Sequence, residues 1–587
     1  MTYNKFKDAP PEKTIERIKE SFSKIGIHLK HRIYKRMDGI YSCIVMDEVG
    51  GWATAGKGTD ELYCLASGYA EAMEHFCNYC AYDLSSISQN VHKYLNFFRY
   101  PDEKMVEMNQ LEAIDEMVLK EMKLAYTMEE DLYSEEKLID TWSEFLKTDK
   151  ISLVPYYSVK KKEIVYLPEA IIGKLCGSTG GGAGNTVEEA IGHGLDEISE
   201  RYVKYIIYSQ ELTPPEIPRK YIECMCPEIF QLINNIENRG KFKVLVMDAS
   251  LGKNYPVVSV CLIDISEHSY VINFGAHPCF QIALERCLTE MFQFMTLNHE
   301  KSVKHKNFEK WTSYAKDVHS IRNWVSLLRD DTGRVADAFF SDTPSWEFKP
   351  WGIYNNYDNK YGMRLQLNNF IQNGVEDIYI RNFNFLGFPV YRIYIPEYST
   401  SHYTICDRIL NNYKEGKQII ESIINESRQE ISLLENKTLR DVFSNESYID
   451  SWIIRDIKES FLDLLYASLI KDANGNREAI ELIQNIKEDF AVAILEEQNM
   501  TRKHYEENFR DRILSLFYDE FVSDIIVAWR NENSFVKLCL LLKKYRLIAS
   551  NNKDKGYKEE LQIIHQKFKY IMLNNIPNQM EVKKYLD

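Results

Sequence analysis

The sequence contains no uninterrupted apolar run approaching the ~18 residues that a membrane-spanning helix needs. Its N-terminus, MTYNKFKDAPPEK, lacks the apolar segment of a secretory signal. Both absences predict a soluble, cytoplasmic protein. A surplus of cations is also missing. Lys and Arg total 72 against 87 Asp and Glu, a net charge of −15. A general nucleic-acid binder needs basic faces to neutralise phosphates, so that class is excluded, whereas a local cationic pocket is not. Neither the Walker pattern GxxxxGK followed by Ser or Thr nor the Rossmann GxGxxG is present, so a bound nucleotide would need another device. The 12 cysteines are too scattered for a disulfide framework and read as reduced, buried thiols. Cys77–Cys80 and Cys224–Cys226 have spacings that zinc could use. However, Cys77 and Cys80 continue a helical pattern without a zinc-knuckle turn, and core thiols are the simpler reading.

What is present is enough for packed cores: 45% of residues are hydrophobic and 13% aromatic. At roughly 150 residues per domain the length predicts two to four domains. Up to about residue 400, helical patterns at 60–80, 187–207 and 279–296 alternate with short β-rich runs. Among these runs are Lys243–Met247, Val257–Ile263 and Val390–Ile395. The expected class is therefore α/β, in the broad sense that includes α+β. After Pro396 no proline occurs until Pro577, and only Gly416, Gly475 and Gly556 interrupt the stretch. Apolar residues there recur at three and four spacing, and Asp472–Asn476 reads as a helix–helix connector. The division predicted is 1–404 and 405–587, the second an all-helical scaffold or dimerisation domain.

Three helical segments carry the chemistry. Ser67, Glu71 and Glu74 lie at i, i+4 and i+7 of the first, and Glu189, His193, Glu197 and Glu200 form a matching stripe on the second. Arg286, Glu290 and Gln293 share a face of the third. The first two echo each other, as Gly68-x-x-Glu71-x-x-Glu74-His75 and Gly194-x-x-Glu197-x-x-Glu200-Arg201. One acidic stripe is ordinary helix surface. Converging stripes would repel one another and call for divalent cations, and an oxygen-only donor set selects Mg²⁺. Mg²⁺ leaves positions for phosphate oxygens, and Arg201 and Arg286 would meet phosphate as planar forks. The expected ligand is a nucleoside triphosphate. Gly177–Asn185 holds five glycines in nine residues and leads into Thr186-Val-Glu-Glu189, a capping-box signature. Such a loop at a helix N-terminus is expected to offer N–H groups to an anion. Lys57, between two glycines, reads equally as a phosphate contact or a solvated turn. His193 and His277 receive no assigned role.

In these motifs the sequence resembles the YcaO family, and in particular its long members with a helical C-terminal domain of TPR-like type. The match rests on Ser67-x3-Glu71-x2-Glu74 and on the loop Ser178–Asn185 with Glu197-x2-Glu200-Arg201. It continues through Gly275-Ala-His-Pro278 and Ala283-Leu-Glu-Arg286-x2-Thr-Glu290-x2-Gln293. The resemblance implies ATP and Mg²⁺ as cofactors and a peptide backbone amide as the group activated, by phosphorylation of its oxygen. It implies Mg²⁺ ligands at Glu71, Glu74, Glu189, Glu197 and Glu200. It implies nucleotide contacts at Lys7, Thr14, Ser67, Ser178, Asn185, Arg201, Arg286, Glu290 and Gln293. It further implies an accessory role in β-methylthiolation of a small-subunit ribosomal protein beside a radical-SAM methylthiotransferase. A homodimer through 405–587 is also expected. Two alternatives stay open. One is a thioamide- or azoline-forming enzyme that tailors a ribosomally made peptide; the other is a non-catalytic nucleotide-binding scaffold. His75 stands where the family's first helix carries Arg. The chain ends in Lys-Lys-Tyr-Leu-Asp587 rather than the proline-rich tail of azoline-forming members.

Overall fold

The computed structural model describes residues 7–47, 53–78, 100–107, 120–121, 150–293, 309–310, 333–352, 357–400 and 566–586, with 323, 327 and 328. Among these, no helix is long and apolar enough to cross a membrane.

Strands β1 (Leu29–Met37), β2 (Ile40–Asp47) and β3 (Ala53–Gly58) form an antiparallel meander, preceded by α1 (Pro11–Lys24) and followed by α2 (Glu61–Cys77). A second sheet holds β4 (Lys104–Glu107), β5 (Lys150–Ser158), β6 (Glu163–Pro168), β7 (Gly181–Ala183), β12 (Tyr379–Asn382) and β13 (Val390–Tyr394). A third, ordered β11-β10-β9-β8, holds β8 (Phe242–Asp248), β9 (Val257–Asp264), β10 (Ser269–Ala276) and β11 (Glu309–Lys310). Further helices include α3 (Glu169–Cys176), α4 (Val187–Ser209), α5 (Arg219–Met225), α6 (Pro227–Glu237), α7 (Phe280–Met291) and α8 (Asn359–Gln372).

Every described strand pairing is antiparallel. The architecture is thus α+β. The expected helices appear as α2, α4 and α7, and the expected strands as β8, β9 and β13. Strand β9 is buried at almost every position and β10 at all of them, because helices cover both faces of that sheet. One cluster, with Ile191, Ile198, Ile272, Met363 and Ile393, fills the α4 side, and another, with Ile233, Val260, Ala283 and Leu284, fills the α6–α7 side.

Helix starts follow local chemistry. Asp60 caps α2 by accepting from the Tyr63 N–H over 2.9 Å. Thr186 caps α4 by accepting from the Glu189 N–H over 3.2 Å. The reciprocal half of the expected capping box is not made. The Glu189 side chain turns instead to Asn185 and to the N-terminal segment.

Of the predicted helical region 405–587, the structure describes only 566–586. Helical turns lie at 566–574 and Val582–Leu586. The rest of that region lies outside the described residues. Phe568 and Met572 enter the core beneath α2, where Phe568 meets Phe76 edge-on at 5.0 Å. Gln579 is buried against β12, accepting from the Asn382 N–H and donating to the Asn382 C=O. Cys77 and Cys226 are buried thiols, Cys224 is exposed, and Cys80 lies outside the described residues.

Candidate functional site

The site forms where α2 and α4 close on β7. The glycines of 180–184 make that approach possible. A Cβ on Gly182 would lie 2.1 Å from the Ala190 C=O of α4, and one on Gly194 would lie 2.6 Å from the Gly180 C=O. A Cβ on Gly181 would lie 2.7 Å from Glu74 Oε1. Gly180 also has φ of +87°. These contacts explain the echo between the two acidic helices: Gly68 and Gly194 each precede a Glu by three residues, at points where the helix presses on its sheet.

The result is a facing set of acids. Glu71 and Glu74 come from α2 and Glu197 from α4. Burial, only partly offset by Lys57, raises Glu71 to about 7, with the nearby Glu197 adding to the rise. Burial and the neighbouring Glu197 and Glu71 hold Glu74 well above the usual carboxylate range, against the pull of Arg201 and Arg392. Glu197 is fixed on both oxygens, by the Gly180 N–H at 2.9 Å and by Arg201 at 2.9 Å. Lys57 of β3 pairs with Glu290 of α7 at the rim.

The loop therefore differs from the expected anion cradle. The Gly180 N–H serves Glu197, the Gly181 N–H returns to the Ser178 C=O, and the Thr179 N–H returns to the Cys176 C=O. Its glycines admit close packing and hold a carboxylate.

A second centre lies N-terminal to the first along α4. Glu189 is buried, yet its oxygens receive Lys7 at 3.1 Å, the Asp8 N–H at 3.2 Å and the Asn185 N–H at 3.2 Å. Burial alone would raise this acid, but Lys7 and these hydrogen bonds outweigh it and leave it below its ordinary value. Its oxygens are thus engaged by Lys7, the Asp8 N–H and Asn185. Thr14 donates to Asn185 Oδ1 over 2.9 Å, joining α1 to this centre.

His193 sits between two cations. Lys7 Nζ approaches its Nε2 at 2.6 Å and an Arg286 N–H at 3.2 Å. Burial together with those charges drives it well below its usual value, so it is neutral, with Nε2 accepting. Arg286 also binds Asp196 Oδ2 at 2.6 Å and the Ala276 C=O at 2.9 Å. Burial lifts Asp196 to about 6 even with Arg286 attached. His277 accepts the Cys279 N–H on Nδ1, which leaves Nε2–H to face Tyr357 Oη at 3.3 Å.

Of the other expected residues, Ser67 is half-buried one turn before Glu71, and Glu200 half-buried one turn after Glu197. Ser178 is half-buried in the glycine loop with its C=O turned inward, and Gln293 is buried just past the end of α7. Sequence reasoning passed over Asp196, whose burial against Arg286 carries no local signal beyond its place beside Glu197.

Mg²⁺ fits this chemistry. Glu71, Glu74 and Glu197 supply only hard oxygen donors, and the raised carboxyls mark negative charge that the protein itself does not neutralise. Among the described residues, no three such groups are already gathered at ligating distances.

The family model for YcaO cyclodehydratase, ATP- and Mg²⁺-binding, matches residues 55–399. The chain belongs to the YcaO family, and its cofactors are ATP and Mg²⁺. It is similar to the ribosomal protein S12 methylthiotransferase accessory factor YcaO of Escherichia coli, at 27% identity over 467 residues, 78% of this chain and 76% of that protein. It is also similar to an uncharacterized protein of Haemophilus influenzae, at 28% over 393 residues, 66% of this chain and 65% of that protein. Thus the chain spans just under two thirds of the Haemophilus relative. The structure of YcaO from Methanopyrus kandleri with AMPPCP and Mg²⁺ aligns at 17% identity with a TM-score of 0.42, covering 67% of this chain and 92% of that one.

Proposed function

We propose that the chain uses Mg²⁺-ATP to phosphorylate the oxygen of a peptide backbone amide. The observation that carries this is the convergence of Glu71, Glu74 and Glu197 from two helices, with Arg201 of α4 and Lys57 of β3 beside them and Arg286 of α7 paired with Asp196 of α4. An amide oxygen is a poor leaving group; once a nucleophile has added to the carbonyl carbon and the oxygen has taken the γ-phosphoryl group of ATP, with ADP released, it can depart as phosphate. The acids would hold Mg²⁺, which neutralises charge on the transferring phosphoryl group.

The protein's own residues do the rest. The Gly180 N–H and Arg201 orient Glu197 before any ligand arrives. Asp196 and the Ala276 C=O hold the Arg286 guanidinium plane, so that its charge is fixed in direction. Burial, helped by the charges of Lys7 and Arg286, keeps His193 neutral, which removes a competing site of protonation beside the phosphates. Glu189, committed to Lys7 and Asn185, fixes the N-terminal segment and contributes to the metal cluster only as a further acid nearby. Thr14, Ser67, Ser178, Glu200, Glu290 and Gln293 complete the nucleotide's surroundings in this reading.

The name of the Escherichia coli relative, a ribosomal protein S12 methylthiotransferase accessory factor, supports a specific setting: an accessory factor to a methylthiotransferase that acts on a ribosomal protein. In this reading the modification is β-methylthiolation and the chain works as a homodimer. Phosphate release from ATP, measured with and without added substrate, tests the activity. Turnover abolished by Glu71→Ala supports it, and turnover indifferent to Glu71→Ala contradicts it. Turnover that appears only with a small precursor peptide would favour peptide tailoring over ribosomal-protein modification.

A further inference from the structure

Two buried arginines stand directly opposite each other on β12 and β13. Arg381 pairs in register with Arg392. Like charges facing across strands repel, so each must be balanced separately. Arg381 is balanced by Asp102 at 2.9 Å. Arg392, 3% exposed, is balanced by Glu169 at 2.6 Å, whose other oxygen accepts the Tyr156 hydroxyl at 2.7 Å. Both also donate to a backbone carbonyl: Arg381 to the Pro155 C=O of β5 over 2.9 Å, and Arg392 to the glycine loop. The second terminal nitrogen of Arg392 donates to the Gly177 C=O over 2.7 Å.

Gly177 opens the glycine loop, and the loop's far end rests on the same stretch of β13. Gly181 pairs with Arg392 in register, and the Ile393 N–H donates to the Gly180 C=O over 2.8 Å. Arg392 therefore holds the loop's start with its side chain, while the next residue, Ile393, holds its end through the backbone. Two acids depend on that loop. The Gly180 N–H holds Glu197, and Gly181 is the surface against which Glu74 lies.

We infer that Arg392 is the positioning residue of the carboxylate site, setting Glu74 and Glu197 through the 177–181 loop without touching the ligand. This rests on reading those acids as the Mg²⁺–ATP site. A planar guanidinium spans the Glu169 carboxylate and the Gly177 C=O at once, whereas a single ammonium does not.

The test compares Arg392→Lys with Arg381→Lys. The second change has the same chemistry, burial and sheet, but no contact to the loop. Two quantities are read on the full chain: amide exchange over 177–184 without ligand, and AMPPCP affinity with Mg²⁺. The expected result is loop exchange about tenfold faster and affinity about tenfold weaker in Arg392→Lys alone, at a matched fall in melting temperature. Glu169→Gln is expected to reproduce both effects, and it serves where Arg392→Lys does not fold. Equal effects in the two arginine variants, or a loosened loop with unchanged affinity, would overturn the inference. A wild-type chain that binds no Mg²⁺-AMPPCP would instead defeat the functional reading, and loop exchange alone would then decide whether Arg392 holds the loop.

Discussion

The Gly180 N–H donates to Glu197 Oε2 over 2.9 Å. A glycine-rich loop at a helix start suggests a phosphate cradle, but here the Gly180 amide is spent on a carboxylate and those of Thr179 and Gly181 on nearby backbone carbonyls. Glycine is needed because the backbone of α4 and the backbone of β13 both lie within a Cβ's reach. A Cβ on Gly180 would lie 2.0 Å from the Ile393 C=O. The loop thus acts through Glu197, which is where its mutations should register.

Gly182→Ala should destabilise the protein by about 1–3 kcal/mol, because the new methyl meets the Ala190 C=O and α4 must shift outward. Chemical unfolding measures the loss. An unchanged midpoint would show that α4 does not press on β7.

The metal-free protein should lose stability as pH rises. Glu71 is raised to about 7 and Glu74 also lies above its ordinary value, so the folded state binds protons more tightly than the unfolded chain. Stability is therefore greatest below the unfolded carboxylate range near 4.5 and falls as pH climbs through about 7. Mg²⁺ should flatten that fall. Thermal unfolding from pH 5 to 8, with and without Mg²⁺, checks it, and stability rising over that interval without metal would contradict it.

His75 Nε2 lies 4.0 Å from Glu71 Oε1. In His75→Arg a permanent cation replaces an imidazole beside Glu71, and the Glu71 carboxyl should titrate lower. The pH midpoint for Mg²⁺-AMPPCP binding should move down accordingly. A midpoint that stays in place would separate Glu71 from metal binding.

Phe568→Ala should cost about 3–5 kcal/mol, since it empties a fully buried ring position against Phe76 on α2. Denaturant unfolding reads the loss. A neutral effect would show that residues 566–586 do not belong to the core that supports the acids.

Much of this was readable in advance, for physical reasons. The stripes of Glu71, Glu74 and Glu197 obey helical spacing, and the structure faces them together. Strands β8, β9 and β13 announced themselves as short β-branched runs between turn residues. Other features depend on tertiary partners that leave no local trace. Glu189 belongs to the α4 stripe by spacing, but Lys7, far away in sequence, claims its oxygens. Asp196 looks like one more surface acid until Arg286 and burial are seen. Arg392 reads as the polar phase of an ordinary strand, and only the register of β13 with β7 brings it beneath the glycine loop. The all-helical character of 405–565 lies outside the described residues.

The central claim is that Glu71, Glu74 and Glu197 make nucleotide binding depend on Mg²⁺. Calorimetric titration of AMPPCP into the wild-type chain and into Glu197→Gln, each with and without Mg²⁺, tests it most directly. The account predicts a metal-dependent affinity in the wild type and a fall of about tenfold or more, about 1.4 kcal/mol, in the variant with Mg²⁺ present. Equal affinities for the two proteins with Mg²⁺ present would contradict it.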